Sequence, residues 1–136
     1  MIAGIGIDMV LARRMDRWLE TPGLPQRYFH PDELAEALSR GPGAALSLAA
    51  RFAAKEAFGK ALGTGLAGIA LKDIMVVSNE KGRPCIRATG TARAALEASG
   101  AGRAHLSLSH EGDRAIAVAV LESPHEGAGQ NQGGAQ

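Results

Sequence analysis

The chain has 136 residues, a net charge of +1, 46% hydrophobic residues and only 4% aromatic ones. That length suits one domain burying roughly two-thirds of its unfolded surface, with an aliphatic, alanine-rich core thin enough to favour contacts with further copies. Near-neutral charge excludes a global field for nucleic acid, so an acidic partner must be read by a local patch.

The single cysteine, Cys85, rules out a disulfide framework and fits a reducing compartment. Met1-Ile2-Ala3-Gly4 lacks the basic start of a signal peptide, and the longest clean apolar run, Ala115 to Leu121, is too short to span a bilayer. The expectation is a cytoplasmic protein without a membrane partner.

In chain order, Ile2 to Asp8 reads as a strand with Ile5 and Ile7 on one face and Gly4, Gly6 and Asp8 on the other. The glycines leave room for another group to approach on the side of Asp8. A helix follows from about Leu11 to Thr21, stopped by Pro22-Gly23 and carrying Arg13, Arg14 and Arg17 among Met15, Trp18 and Leu19. Phe29 to Leu34 opens a second helix, with His30 or Asp32 near its start and Pro31 in its first turn. After the breaker Arg40 to Gly43, a central helix is predicted from about Leu46 to Leu62, capped by Ser47 and ended at Gly63.

A short helical turn is expected over Leu66 to Leu71, then a hairpin of Ile74 to Val77 with Cys85 to Ala88. Thr91 caps a helix running to Ser99, and a second hairpin joins His105 to Ser109 with Ala115 to Leu121. Residues 1–122 form the domain. From about Ser123 to Gln136 the composition collapses to Gly, Gln, Asn and Ala, the signature of a disordered polar tail.

The chemistry-bearing residues are few. On the central helix, Ala54, Phe58, Ala61 and Leu62 form a core stripe; Phe52, Glu56 and Lys60 fall almost opposite. That second stripe is either solvated, a surface Glu-to-Lys pair worth about 0.2–0.5 kcal/mol, or it lines a site. Asp8 at a strand end either caps a turn or joins a second carboxylate, and two carboxylates are the usual protein share of a magnesium site. Spacing alone cannot bring Asp8 to Glu56.

His110, beside Ser109 at a hairpin tip, competes with His30, His105 and His125. Ser109 has no nucleophile-elbow motif around it. The first helix reads as a solvated basic face or, with Arg14, Arg17 and an exposed Trp18 on one side, as a dock for an acidic amphipathic helix. Nucleic acid is the weaker partner, because aromatics for base stacking are scarce.

Taken together, four segments resemble the holo-acyl-carrier-protein synthases, the small phosphopantetheinyl transferases. Gly6-Ile7-Asp8-Met9-Val10 followed by Arg14 resembles that family's opening G-x-D-[IV]-[VA]-x-x-x-R. Arg27 to Glu33 is similar to its R-x-[FL]-[TS]-x-x-E. Arg51 to Ala57, continuing through Lys60 to Gly65, follows its R-F-A-x-K-E-A-x-x-K-A-L-G-T-G. Leu106 to His110 and Ala115 to Glu122 resemble the closing h-S-h-S-H and A-x-A-x-V-x-x-E. All four occur in order over about residues 2 to 122.

The resemblance implies an α+β fold, an antiparallel sheet with helices packed on it, assembled as a homotrimer with shared active sites. It implies transfer of 4′-phosphopantetheine from coenzyme A to a serine of apo-acyl carrier protein, with release of 3′,5′-ADP, in fatty acid or polyketide synthesis. Asp8 and Glu56 match the family's magnesium ligands; Glu56, Lys60 and His110 are the candidate catalytic residues. Lys60, Ser109, His110 and Arg51 are the candidate coenzyme A contacts, and Arg14, Arg17 and Trp18 the carrier-protein contacts. The base for the serine proton stays open among Glu56, His110 and a magnesium-bound water. Gly41 to Ala45 departs from the family, where a Lys/Arg pair often stands near the 3′-phosphate; only Arg40 and Arg51 lie close. The rival reading is a non-catalytic carrier-protein-binding module using the Arg14 face.

Overall fold

A computed structural model of the chain describes residues 1–124. The N-terminal strand β1 spans Ile2–Leu11 and leads directly into helix α1 (Ala12–Leu19), then two short helices α2 (Pro25–Tyr28) and α3 (Pro31–Leu38). The long helix α4 covers Ala44–Leu62 and the hairpin β2 (Ile74–Ser78) and β3 (Pro84–Ala88) follows. Helix α5 (Gly90–Ala98) and the hairpin β4 (Arg103–Glu111) and β5 (Arg114–Glu122) complete the α+β arrangement.

The main sheet is antiparallel in the order β1-β5-β4, with β2-β3 as a separate ribbon. Asp8 lies opposite Ala117, which in turn lies opposite Leu108; Val10, Ala115 and His110 align in the same way. One face of this sheet is therefore Gly4, Gly6, Asp8 and Val10 with Ala115, Ala117, Ala119 and Leu121, and helix α4 packs on it. The expectation that glycines admit a close neighbour is borne out, and the neighbour is α4. A Cβ on Gly4 would sit 1.9 Å from the carbonyl oxygen of Ala61, and one on Gly6 would sit 2.0 Å from that of Ala57. Alanines on α4 (Ala53, Ala54, Ala57) and on β5 are buried on both sides of the contact, which keeps backbone against backbone.

Several local expectations are corrected. Helix α4 begins at Ala44, straight out of a 3-10 turn at Gly41–Gly43, so Ser47 lies inside it and accepts a hydrogen bond from Arg51 instead of capping. Gly63 does end the helix, in the left-handed region at φ 79°. Helix α5 starts at Gly90; Thr91 is not its cap, and its N–H and hydroxyl both donate to the carboxylate of Asp73. The segment after Gly65 is turns ending in a 3-10 helix at Leu71–Asp73. Helix α1 stops at Leu19, two residues before the expected Thr21, and the four-residue helix α2 was not expected. At the end of β5, Ser123 N–H donates to the Met1 carbonyl at 2.8 Å and Pro124 lies against Gly102. The rest of the expected tail, 125–136, lies outside the described residues.

The opposite face of the sheet is apolar and open. Ile5 and Ile7 are 62% and 58% exposed and Met9 is 55% exposed, with Ile116, Val118 and Val120 half-buried beside them. No helix among the described residues is long and apolar enough to cross a membrane.

Candidate active site

Close packing of α4 on β1 delivers the two charges of the second helical stripe to Asp8. Lys60 Nζ donates to Asp8 Oδ1 at 3.0 Å and to the carbonyl of Ile7 at 3.0 Å. Glu56, one turn earlier, is held above the ordinary carboxyl pKa, first by partial burial and then by the negative charge of Asp8; Arg14 and Lys60 pull it back down. Burial beside a like charge is the environment that makes a second carboxylate hold its proton. A cation between the two would relieve that repulsion, and two carboxylates with open positions suit a hard divalent ion that keeps water and phosphate oxygens as further ligands. No group of three or more His, Cys, Asp or Glu side chains able to hold a metal occurs among the described residues.

The third member of that stripe behaves differently. Phe52 is buried, because Trp18 from α1 covers it at 4.9 Å between ring centroids, with Tyr28 stacked on Trp18 at 4.9 Å. Trp18 is accordingly half-buried and not the exposed aromatic expected from the sequence. Arg14 remains exposed and lays its guanidinium over Phe52 at 4.9 Å and over Trp18 at 5.6 Å. Such cation–π contacts pin the arginine in place, for about 0.5–1 kcal/mol at an exposed site. Together with Arg13 and Arg17 it borders a groove beside Met9, Val10 and Leu11.

Arg51, Ser109 and His110 come together elsewhere. They line a cleft of 390 Å³ between α4, the β2-β3 ribbon and the end of β4, with Arg40, Ser47 and Ser78 also on its wall. Arg51 is buried; one guanidinium nitrogen pairs with Glu36 at 3.2 Å, another donates to Ser47, and its Nε is buried without a hydrogen-bond partner. Asp8, Glu56 and Lys60 are not on this wall. The chain thus carries two separate groups of candidate residues, a carboxylate–ammonium set and an arginine-lined cleft.

The competing histidines resolve into structural roles. His30 caps α3, its Nδ1 accepting from Asp32 N–H at 3.1 Å, and His105 pairs with Glu122 at 3.3 Å. His125 falls outside the described residues. His110 is left exposed at the cleft.

Sequence reasoning missed Lys55 and Glu33. Lys55 is fully buried and its Nζ donates to Glu33 Oε1 at 2.7 Å, to the Leu71 carbonyl at 2.9 Å and to the Ile74 carbonyl. Burial pushes the Lys55 ammonium down from its ordinary pKa, against the raising effect of Glu33. A signal was there: Leu48, Phe52, Lys55 and Gly59 follow helical spacing, so a lysine occupies an otherwise apolar stripe.

Comparison with known proteins agrees with this architecture. Residues 4–119 match the family model of the 4′-phosphopantetheinyl transferase superfamily. The holo-[acyl-carrier-protein] synthase of Treponema denticola is 54% identical over 122 residues, which is 90% of this chain and 99% of the relative. The crystal structure of that synthase from Neisseria meningitidis superposes with a TM-score of 0.80 at 36% identity, covering 90% of this chain and all of the other. A Bacillus anthracis holo-(acyl-carrier-protein) synthase, crystallised with CoA (3′,5′-ADP), superposes at 0.75 and 34% identity, covering 90% of this chain and 98% of that one. With the family model matched over most of its length, this chain belongs to the 4′-phosphopantetheinyl transferase superfamily.

Proposed function

We propose that this protein is a holo-acyl-carrier-protein synthase, moving 4′-phosphopantetheine from coenzyme A to a serine hydroxyl of an apo-acyl carrier protein. The observation that carries this reading is the meeting of Asp8 on β1 with Glu56 and Lys60 on α4, about fifty residues away in the chain, at one junction of helix and strand. The serine oxygen forms a bond to the pantetheine-bearing phosphorus of the diphosphate, the bond to the bridging oxygen breaks, and 3′,5′-ADP leaves with that oxygen. Positioning and charge stabilisation carry most of such a reaction.

Asp8 and Glu56 would hold a magnesium ion, whose charge when bound offsets that of the diphosphate. Lys60 adds a fixed cation at the same place. Arg51, Arg40, Ser109 and His110 form the cradle for the phosphates at the nucleotide end, with two guanidinium side chains on the cleft wall to favour an anionic occupant. In this reading Arg40 and Arg51 stand in for the basic pair missing at Gly41 to Ala45. Two groups suit removal of the serine proton, Glu56 and His110, and the pH profiles of Glu56→Gln and His110→Ala separate them. Arg14, Arg17 and the rim of Trp18 receive the acidic helix of the carrier.

The same proposal includes a cytoplasmic homotrimer serving fatty acid synthesis. Two features support the assembly: an exposed stripe of Ile5, Ile7 and Met9, larger than scattered surface residues require, and two half-sites that a single chain leaves apart. Neighbouring subunits would bring the carboxylate set of one to the cleft of the next.

The test mixes purified protein, coenzyme A, magnesium and apo-carrier protein and follows the carrier by mass spectrometry. The carrier should gain the phosphopantetheine mass, and Asp8→Ala or Glu56→Ala should abolish the gain while leaving the oligomer intact. An unmodified carrier, bound equally well without coenzyme A or magnesium, would replace the proposal by a non-catalytic binding module.

A further inference from the structure

Lys55 has no part in the chemistry above, yet its ammonium is the most heavily committed cation described. Its three protons reach Glu33 on α3, Leu71 in the turn before β2, and Ile74 at the start of β2. Glu33 is equally enclosed: it also takes the backbone N–H of His30 at 3.1 Å and that of Val76 at 3.0 Å. One turn earlier on α4, Arg51 pairs with Glu36, one turn further along α3. Helix α3 therefore grips α4 at two successive turns.

This grip matters because of what α4 otherwise offers. Where the helix meets β1 the contact is between glycines and alanines, so that face has few large knobs to fix the helix's rotation; the large apolar side chains it buries are Leu48, Phe52 and Phe58. Directional hydrogen bonds supply what smooth packing does not. A polar residue that selects one packing register is the best-attested use of a buried polar group. Glu56 is the next residue round the helix and Lys60 the next turn on.

We infer that Lys55, acting through Glu33, is the positioning residue that sets the rotation of α4 and thereby presents Glu56 and Lys60 to Asp8. The inference rests on the assignment of Asp8 and Glu56 as cation ligands.

The double variant Lys55→Met/Glu33→Gln removes both charges at similar volume, so no buried charge is left alone. Its urea transition reports folding, manganese(II) binding in the presence of coenzyme A is read by electron paramagnetic resonance, and kcat and KM are measured alongside. The expected result is a cooperative fold, an unchanged KM for the carrier, and manganese affinity weakened by about 10- to 100-fold, the usual effect of removing an outer-shell partner. A folded double variant with wild-type manganese affinity and kcat overturns the inference. Should the double variant not fold, Glu33→Gln alone is measured in the same way: weakened manganese binding supports the inference and unchanged binding overturns it. Glu56→Gln is the control. If it binds manganese as well as wild type, the ligand assignment has failed and not the clamp.

Discussion

Replacing Gly6 by alanine tests how the fold builds the site. The new methyl carbon would lie 2.0 Å from the carbonyl oxygen of Ala57 and 2.7 Å from the amide nitrogen of Ala61. Both are backbone atoms of α4, so no side-chain rotation can relieve the clash. Ordinary van der Waals contact begins at 3.4 Å, and helix and strand must separate by more than an ångström to reach it. Overpacking a tight interior costs about 1–3 kcal/mol, and rigid backbone on both sides places this substitution at the upper end. The same retreat carries Glu56 and Lys60 away from Asp8, and a misplacement of about 1 Å at a reacting centre can reduce turnover by roughly 10²-fold. Urea unfolding gives the first quantity and the rate of carrier modification under saturating substrates gives the second. A Gly6→Ala protein with an unchanged urea midpoint and unchanged turnover would refute the claim that this glycine admits the helix.

Three further outcomes are expected. Because the carboxyl pKa of Glu56 is raised in the folded protein, Glu56 contributes stability below its ordinary value of 4.5, and that contribution is lost as pH rises through the raised value. Without metal, Glu56→Gln should therefore raise the urea midpoint at pH 7 and leave it unaltered in acid; no gain at neutral pH would contradict the sign of the shift. Arg14→Glu should raise KM for the carrier by about tenfold, roughly the 1.4 kcal/mol expected when a docking cation is reversed, while the unfolding free energy from urea titration changes by less than about 1 kcal/mol; an unaltered KM removes Arg14 from the docking face. Ile7→Lys places a charge on the open apolar face and should yield monomers by light scattering with the secondary structure intact, whereas a wild-type oligomer would show that this face is not an interface.

Much of this molecule follows from local chemistry. The alternation of glycine and isoleucine in Ile2 to Asp8, the alanine-rich run ending at Gly63, and the two hairpins are set by side-chain period and by residues that only turns tolerate, so they were readable in order. Cap positions were less so: Ser47 and Thr91 are good cap residues by type, but the turn at Gly41–Gly43 starts α4 at Ala44, ahead of Ser47, and Asp73 satisfies the start of α5 from outside. Trp18 looked exposed because nothing local announces that Tyr28 and Phe52 converge on it.

The candidate site divides in the same way. Residue type and spacing put Glu56 and Lys60 on one side of a helix and left Asp8 as an unexplained acid, with a family resemblance as the reason to place them together. Their actual meeting is a long-range event, decided by whether the backbone of α4 can lie directly on β1, and that depends on two missing Cβ atoms and a wall of alanines. The burial of Lys55 is also beyond local reading, since an ammonium is tolerated inside only where a carboxylate and two carbonyls from three other elements arrive together. Sequence determined which groups were available; the tertiary structure alone decided which of them share a dielectric and a distance, because electrostatic and hydrogen-bond energies fall off in space and not along the chain.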